Sequence, residues 1–380
     1  MPKTLKIGFV LDDTIDSSDG VQQYVLCLGA WLAGLGHEVH YLCGQSARRD
    51  YIVHSLSRNI KVKFNGNRLS IPLPAKNSAI KALLAKEKFD VLHVQMPYSP
   101  WLAGKIIKAA STSKTAIIGT FHILPIGHLA AAASRGLALA CRSSLASIDQ
   151  VLAVSQPAAV FAKARFGLSC TVVPNVFQFH KFQNLTPAFD KNQPLTIVFL
   201  GRLVKRKGCQ HLLNAALQLS NHRAANFKLV IAGRGPEAAK LQRFVAKHEL
   251  KNLVEFSGFI AESGKPKLLA GADIAVFPST GGESFGIVLL EALAASRGAV
   301  LAGNNPGYAG LMQGHEDQLF DPKNSAQLSA KLAYFMDEPG LRRQASAWQK
   351  QRAKAYDVNL IGPKIIDIYK NALNKRSVVR

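Results

Sequence analysis

Apolar runs of strand length recur along the chain, each followed by a segment in which apolar positions return at helical spacing. In the first half, LKIGFVLD, HEVHYLCG, KVKFNG, DVLHVQM, AIIGTFH and QVLAVS read as strands. Helices are expected between most of them, near residues 20–34, 78–87, 99–110, 128–146 and 157–166. TVVPN closes that series. Residues 176–194 hold two prolines and no clean period, and so read as a linker. A second series follows, LTIVFLGRL, FKLVIAG, LVEFSGF, DIAVFPS and AVLAG, with helices expected to begin near Gly208, Pro236, Lys265 and Phe285. Strand alternating with helix is the signature of parallel sheets covered by helices. The expected architecture is two doubly wound α/β domains, 1–175 and 195–355, facing across a cleft. A C-terminal helical segment, 356–380, is expected to cross back to the first domain. Open sheets of this kind bind ligands beyond the carboxyl ends of their strands, so the chemistry is sought there.

Composition narrows the classes. The 380 residues are 48% hydrophobic and 19% charged, which is ordinary for a globular protein and excludes disorder, collagen and coiled coil. The net charge of +23 is unusual and asks for an anionic partner. Cys27, Cys43, Cys141, Cys170 and Cys209 are scattered without a C-x-x-C pair, so they read as reduced thiols rather than a metal site. The short apolar run LKIGFVL ends at Asp12 and Asp13, too early for a secretory signal, and a cytoplasmic location is expected. Thr115 to Ser134 carries no formal charge, but Gly119, His122, Pro125, Gly127 and His128 argue against a transmembrane helix.

Two segments carry candidate chemistry. In STGGESFGIVLLEAL, a glycine pair and an acid precede a helix expected to start at about Ser284. The unsatisfied N–H groups of a helix start at Ser284, Phe285 and Gly286 suit a phosphate. Glu283 and Glu291 lie eight positions apart, about 12 Å if the interval is helical, enough to reach two parts of an extended ligand. The plainer alternatives are a helix-start charge for Glu283 and a solvated helix residue for Glu291. In FLGRLVKRKGCQHLL, Arg202 and Lys207 sit on a loop between strand and helix, where both can neutralise a diphosphate. Lys205 and Arg206 share the run, and a solvated basic loop is the alternative.

GGESFGIVLLE, GRLVKRKG and GVQQYVLCLGAWLAGLGHEV together resemble the family 4 retaining glycosyltransferases of GT-B fold, and among them the phosphatidylinositol mannosyltransferases. The likeness spans nearly the whole chain. It implies that Glu283 meets the donor sugar hydroxyls and Glu291 the ribose, that Arg202 and Lys207 bind the diphosphate, and that Gly20 lets the first helix approach it. The backbone from Ser284 through Phe285 and Gly286 to Ile287 would border the donor, and His122 would face the transferred sugar. SGFIAESGK would read the base: Ile260 beside it, Glu262 accepting from guanine N1–H and N2–H, Lys265 nearby. This favours a GDP-sugar over a UDP-sugar. Where the family usually has Gly-Gly-Val, Asp19 replaces the first glycine and puts an anion near the donor phosphates.

The implied reaction is hexosyl transfer, mannose from GDP-mannose, with retention through front-face attack. No D-x-D motif is present, so no metal is expected at the diphosphate. Tyr51 to Lys86 carries Arg58, Lys61, Lys63, Arg68, Lys76, Lys81 and Lys86 without an acid. Together with apolar residues between Ile123 and Leu145, it suggests peripheral binding to an anionic inner membrane face and a lipid-linked acceptor. A UDP-sugar enzyme with a soluble or polysaccharide acceptor is the alternative within the class. A non-catalytic nucleotide-sugar binder should lack Glu283 or His122. A nucleic-acid binder would explain the charge, but no recognised motif or aromatic platform accompanies it.

Overall fold

A computed structural model describes residues 4–64, 67–122, 128–183, 185, 193–222 and 226–378. The chain divides into two compact units, residues 1–177 with 358–380, and residues 178–357. In the first unit the elements run β1 (Lys6–Val10), α1 (Gly20–Gly34), β2 (Glu38–Cys43), β3 (Ile52–Ser55), β4 (Asn59–Phe64), β5 (Asn67–Pro72) and α2 (Asn77–Glu87). They continue with β6 (Val91–Gln95), α3 (Ala103–Ala110), β7 (Ala116–Phe121), α4 (His128–Leu145), β8 (Gln150–Ala153), α5 (Gln156–Phe166) and β9 (Thr171–Val172). Seven strands form one parallel sheet in the order β3-β2-β1-β6-β7-β8-β9. β6 and β7 are buried along their whole length, as parallel strands covered on both faces must be.

The second unit holds β10 (Leu195–Leu200), α6 (Cys209–His222), β11 (Phe227–Ala232), α7 (Ala238–Lys247), β12 (Val254–Gly258), α8 (Lys265–Ala270) and β13 (Ile274–Phe277). After these come α9 (Ile287–Ala295), β14 (Ala299–Gly303), α10 (Pro306–Leu311), β15 (Leu319–Phe320), α11 (Ser325–Asp337) and α12 (Pro339–Lys354). Its six parallel strands take the order β12-β11-β10-β13-β14-β15. The chain's first strand in this unit, β10, therefore has β11 on one side and β13 on the other. That is a topological switch point, where the connections leave in opposite directions and open a crevice at the strand ends.

α13 (Val358–Val378) closes the chain and belongs to the first unit. Ile365, Tyr369 and Ala372 are buried. Trp31 Nε1 donates to Asn359 at 2.9 Å, and Arg376 grips both Asp149 oxygens at 2.8 Å while donating to the carbonyls of Ser111, Ser113 and Ser147.

The strand assignments of the first unit need one correction. KVKFNG is not part of the parallel series: β4 pairs antiparallel with β5 in a separate two-stranded sheet, and the edge position goes to β3. Only four residues long and half exposed, β3 has too weak an apolar pattern to stand out in the sequence. The boundary between the two units falls at Phe177 and Gln178, inside the segment 176–194, where Val176, Phe177, Phe179 and Phe182 are buried and Phe179–Phe182 forms a 3-10 turn; residues 184 and 186–192 lie outside the described residues. Among the described residues all five cysteines are free thiols, and no helix is long and apolar enough to cross a membrane.

Candidate functional site

Two loops leave the carboxyl ends of the neighbouring strands β10 and β13, and they meet. The first, Gly201–Gly208, carries the basic run, in which Lys205–Lys207 form a 3-10 turn. The second, Pro278–Gly286, carries Glu283. They are stitched through the Arg206 carbonyl, which accepts from Thr280 N–H at 2.8 Å and Ser279 Oγ at 3.1 Å. Across this seam Glu283 Oε1 receives Arg206 Nη1 at 2.6 Å, Lys207 Nζ at 3.0 Å and Ser279 Oγ at 3.0 Å.

Glu283 is 8% exposed. Burial pushes its carboxyl up, but Lys207 and Arg206 outweigh that and hold it below the usual range. Lys207 is held low by burial first, then by the charges of Arg206 and Arg202, against the pull of Glu283. Two cations thus pair with one carboxylate, and Arg202 is close enough for its charge to act on Lys207. A cluster with surplus positive charge, partly withdrawn from water, is suited to a multiply charged anion such as a diphosphate. Arg206 has no role on sequence grounds, because spacing alone cannot say which side chain of K-R-K turns inward.

The helix after Glu283 starts later than expected. α9 begins at Ile287, and Gly286 stands at its N-cap with φ of +100°. A side chain there would be strained by that backbone and would meet the Tyr308 ring at 2.6 Å. Ser284 and Phe285 therefore belong to the loop, and the 12 Å separation of Glu283 and Glu291 does not apply, since only the second half of the interval is helical. Phe285 is buried with its ring edge-on to Tyr356 at 5.5 Å, so only its backbone remains for a ligand.

Glu291 is not a solvated helix residue. It lies in α9, where Ile287, Leu289, Leu290, Ala292, Leu293, Ala294 and Ala295 are also buried, and is itself 4% exposed. Lys265 Nζ lies 3.5 Å from Glu291 and 2.8 Å from Glu262. Lys265 is thus a buried bridge from the inner acid to the exposed Glu262, with half-buried Ile260 packed against Gly264. Burial dominates at Glu291 and raises its carboxyl to about 7.

Between the unfolded carboxyl's ordinary value and about 7, the folded state holds the extra proton, so this residue's contribution to stability declines as pH rises through that window. Glu291→Gln should therefore be more stable than the parent at pH 8, by on the order of 3 kcal/mol, with the difference vanishing as pH falls to about 4. Melting temperatures of the two ligand-free proteins across that range check it; a constant gap would contradict it.

In the first unit, His122 directly follows β7 and is 5% exposed. Its Nε2 donates to Gln95 Oε1 at 2.7 Å, and Gln95 Nε2 in turn donates to the His93 carbonyl at 3.1 Å. The Tyr24 ring stands edge-on at 5.1 Å. Burial lowers the imidazole to about 3, so His122 is neutral at physiological pH. Below it, His93 joins Thr120 and Tyr369 of α13, each at 2.7 Å. Sequence reasoning misses Gln95, His93 and Tyr369, since nothing in their spacing marks them. Gly20 opens α1 behind the exposed Asp19.

Comparison with known proteins bears on the fold and the family. The family description "Glycosyltransferase Family 4" matches residues 18–178, and "Glycosyl transferases group 1" matches residues 182–352. The chain is a glycosyltransferase of GT-B fold. It is similar to the phosphatidyl-myo-inositol mannosyltransferase of Mycolicibacterium smegmatis, with 29% identity over 96% of this chain and 93% of that protein. It is also similar to the protein of that name from Mycobacterium tuberculosis, with 28% identity over 99% of both. Among solved structures, a glycosyltransferase from Rickettsia africae superposes with a TM-score of 0.77 at 19% identity, covering 97% of this chain and 99% of that one. Sucrose-phosphate synthase from Thermosynechococcus elongatus gives 0.75 at 20% identity, covering 98% and 100%. The glycosyltransferase takes its sugar from a nucleotide-sugar donor.

Proposed function

We propose that this glycosyltransferase moves mannose from GDP-mannose, with retention of configuration, to a lipid-linked acceptor at an anionic membrane surface. The observation that carries the donor reading is the cluster of Arg206, Lys207 and nearby Arg202 around buried Glu283 at the ends of β10 and β13. Breaking the bond between sugar and diphosphate builds negative charge on the leaving group, and cations fixed beforehand lower that barrier without reorganising. Arg202 and Lys207 take the diphosphate, with the backbone of Ser284 to Ile287 beside it and Gly20 allowing close approach. Glu283, kept ionised by its cations, accepts from donor sugar hydroxyls, and His122 is assigned to the transferred sugar. Glu291 takes the ribose.

The departing phosphate oxygen removes the acceptor hydroxyl's proton while the acceptor attacks from the same face. Chain cations supply the charge that a metal would supply elsewhere, and transfer should persist in EDTA. The mannosyl donor and lipid acceptor rest on the likeness to the mycobacterial phosphatidyl-myo-inositol mannosyltransferases. The exposed Lys76, Lys81 and Lys86, and Leu139, 77% exposed on α4, support a membrane-facing side of the first unit. Residues 123–127, part of the apolar stretch read from sequence, lie outside the described residues.

A thermal-shift panel of GDP, UDP and ADP, each free and as the sugar conjugate, tests the donor, since a ligand that binds only the folded chain raises its melting temperature. GDP and GDP-mannose should shift it furthest, and Glu262→Ala should erode the lead of GDP over UDP. Equal shifts for GDP and UDP would remove the guanine assignment. For the acceptor, the protein should pellet with anionic vesicles at low salt and be released at high salt; vesicles that never pellet it would remove the membrane.

A further inference from the structure

A second cluster of chemically capable side chains lies in the first unit, where Lys6 opens β1 and Glu38 opens β2, toward the amino ends of the strands. His122 follows the carboxyl end of β7, so the cluster is not part of the donor chemistry. It consists of His40 on β2, His54 on β3 and Glu87, the last residue of α2. One ligand-capable atom from each lies within 4.8 Å of the others. His40 Nδ1 faces His54 Nε2 at 2.9 Å and Glu87 Oε2 at 3.9 Å.

The tautomer of His40 is fixed by its other nitrogen. Nε2 stands 2.8 Å from Glu38 Oε1, a carboxylate oxygen that can only accept, so Nε2 carries the hydrogen and Nδ1 presents a lone pair to the cluster. A carboxylate behind an imidazole whose other nitrogen is a ligand is the arrangement that orients metal-binding histidines. Between His40 and His54 two ring nitrogens share one proton, and a divalent ion can replace it. Tetrahedral zinc at about 2.0–2.1 Å from each ligand sets those atoms roughly 3.3 Å apart, between the two distances above.

We infer that His40, His54 and Glu87 form a site for a borderline divalent metal, zinc in the first instance, which clips the edge strand β3 and its neighbour β2 to the end of α2. Two imidazoles and a carboxylate favour zinc over magnesium or calcium, which prefer oxygen ligands. His40 is 2% exposed, whereas His54 and Glu87 are half-buried, so the ion can enter from that side. Lys6 Nζ occupies the site's rim, 2.7 Å from Glu87 and 3.0 Å from Glu38, and competes with the ion for the Glu87 carboxylate.

The test uses the full chain, stripped with chelator, desalted and titrated with zinc chloride by calorimetry, with metal content read by mass spectrometry after gel filtration. One zinc per chain is expected, with a higher melting temperature and no comparable response to magnesium. His54→Gln and Glu87→Gln should each abolish measurable binding, and if one fails to fold the other carries the test. Glu38→Gln should weaken it roughly 10- to 100-fold, by loss of the orienting carboxylate. Lys6→Met should tighten it, an outcome that a purely structural ion network does not produce. Cobalt substitution should give visible bands without thiolate charge transfer, which separates this site from the cysteines. No zinc bound, or zinc bound equally by both Gln variants, would overturn the assignment. Sugar transfer that persists in EDTA while the melting temperature falls would keep this site distinct from the donor chemistry.

Discussion

Replacing Glu283 by glutamine lowers sugar transfer by about 10²–10³-fold, the scale on which a single positioned polar group supports a transition state. Nucleotide binding goes the other way. The substitution removes the one anion among Arg202, Arg206 and Lys207, so GDP should bind the variant as tightly as the parent or more tightly. As a helix-start charge, the plainer alternative from sequence, Glu283 would be removable without harm to folding. The buried position and the two ion pairs say otherwise. Glu283→Ala strands two partly buried cations, and breaking such a pair costs about 3–5 kcal/mol, whereas glutamine still accepts from Ser279 and Lys207 at lower cost. Steady-state kinetics, nucleotide titration and thermal melts on both variants separate these effects. Unchanged turnover in Glu283→Gln would take the residue out of the reaction.

The second large effect is expected at Gly208, which closes the basic loop. Its φ of +73° lies in the left-handed region, and a side chain there would stand 1.9 Å from the Pro278 carbonyl oxygen. The conformation alone costs alanine roughly 1–2 kcal/mol. The collision with backbone adds more, because a carbonyl cannot swing away as a side-chain tip can. Gly208→Ala should therefore lower the melting temperature by about 5–10 °C, at roughly 2–4 °C per kcal/mol for a unit of this size. It should also weaken nucleotide binding, since the loop that moves carries Lys207. Gly340→Ala, with nothing within 4 Å of the added carbon, is the control and should melt no lower than the parent. A Gly208→Ala protein that melts with the parent would mean the two loops are not in the contact described.

Elements with strong periodicity are legible in the amino-acid pattern alone. α1, α2, α4 and α5 lie within a residue or two of the expected spans, and α5 shows why its ends are readable: the Ser155 side chain accepts from Ala158 N–H at its start, and Gly167 takes the left-handed region at its end. What escapes does so for local reasons. β3 is short and half exposed. α9 starts late because Gly286 takes a left-handed conformation that spacing does not reveal, although a glycine at a helix start hints at it. The burial of Glu291 is readable in principle: IVLL before it and ALAA after it leave no polar face for it to share. The partners of His122 are not, because Gln95 and His93 sit on a neighbouring strand and Tyr369 comes from the far end of the chain.

That last residue bears on how the chain is made. Helix α13 covers the first unit but is synthesised only after the whole of residues 178–357. At roughly 5–20 residues per second, the nascent N-terminal sheet waits on the order of ten seconds or more for it. During that interval the surface that Ile365, Tyr369 and Ala372 will cover is open, and His93 lacks its tyrosine. The second unit, continuous in sequence, completes first. The N-terminal sheet is thus the segment with most need of a chaperone at the ribosome, and a stop codon ahead of Val358 would leave an incomplete N-terminal unit attached to a finished C-terminal one.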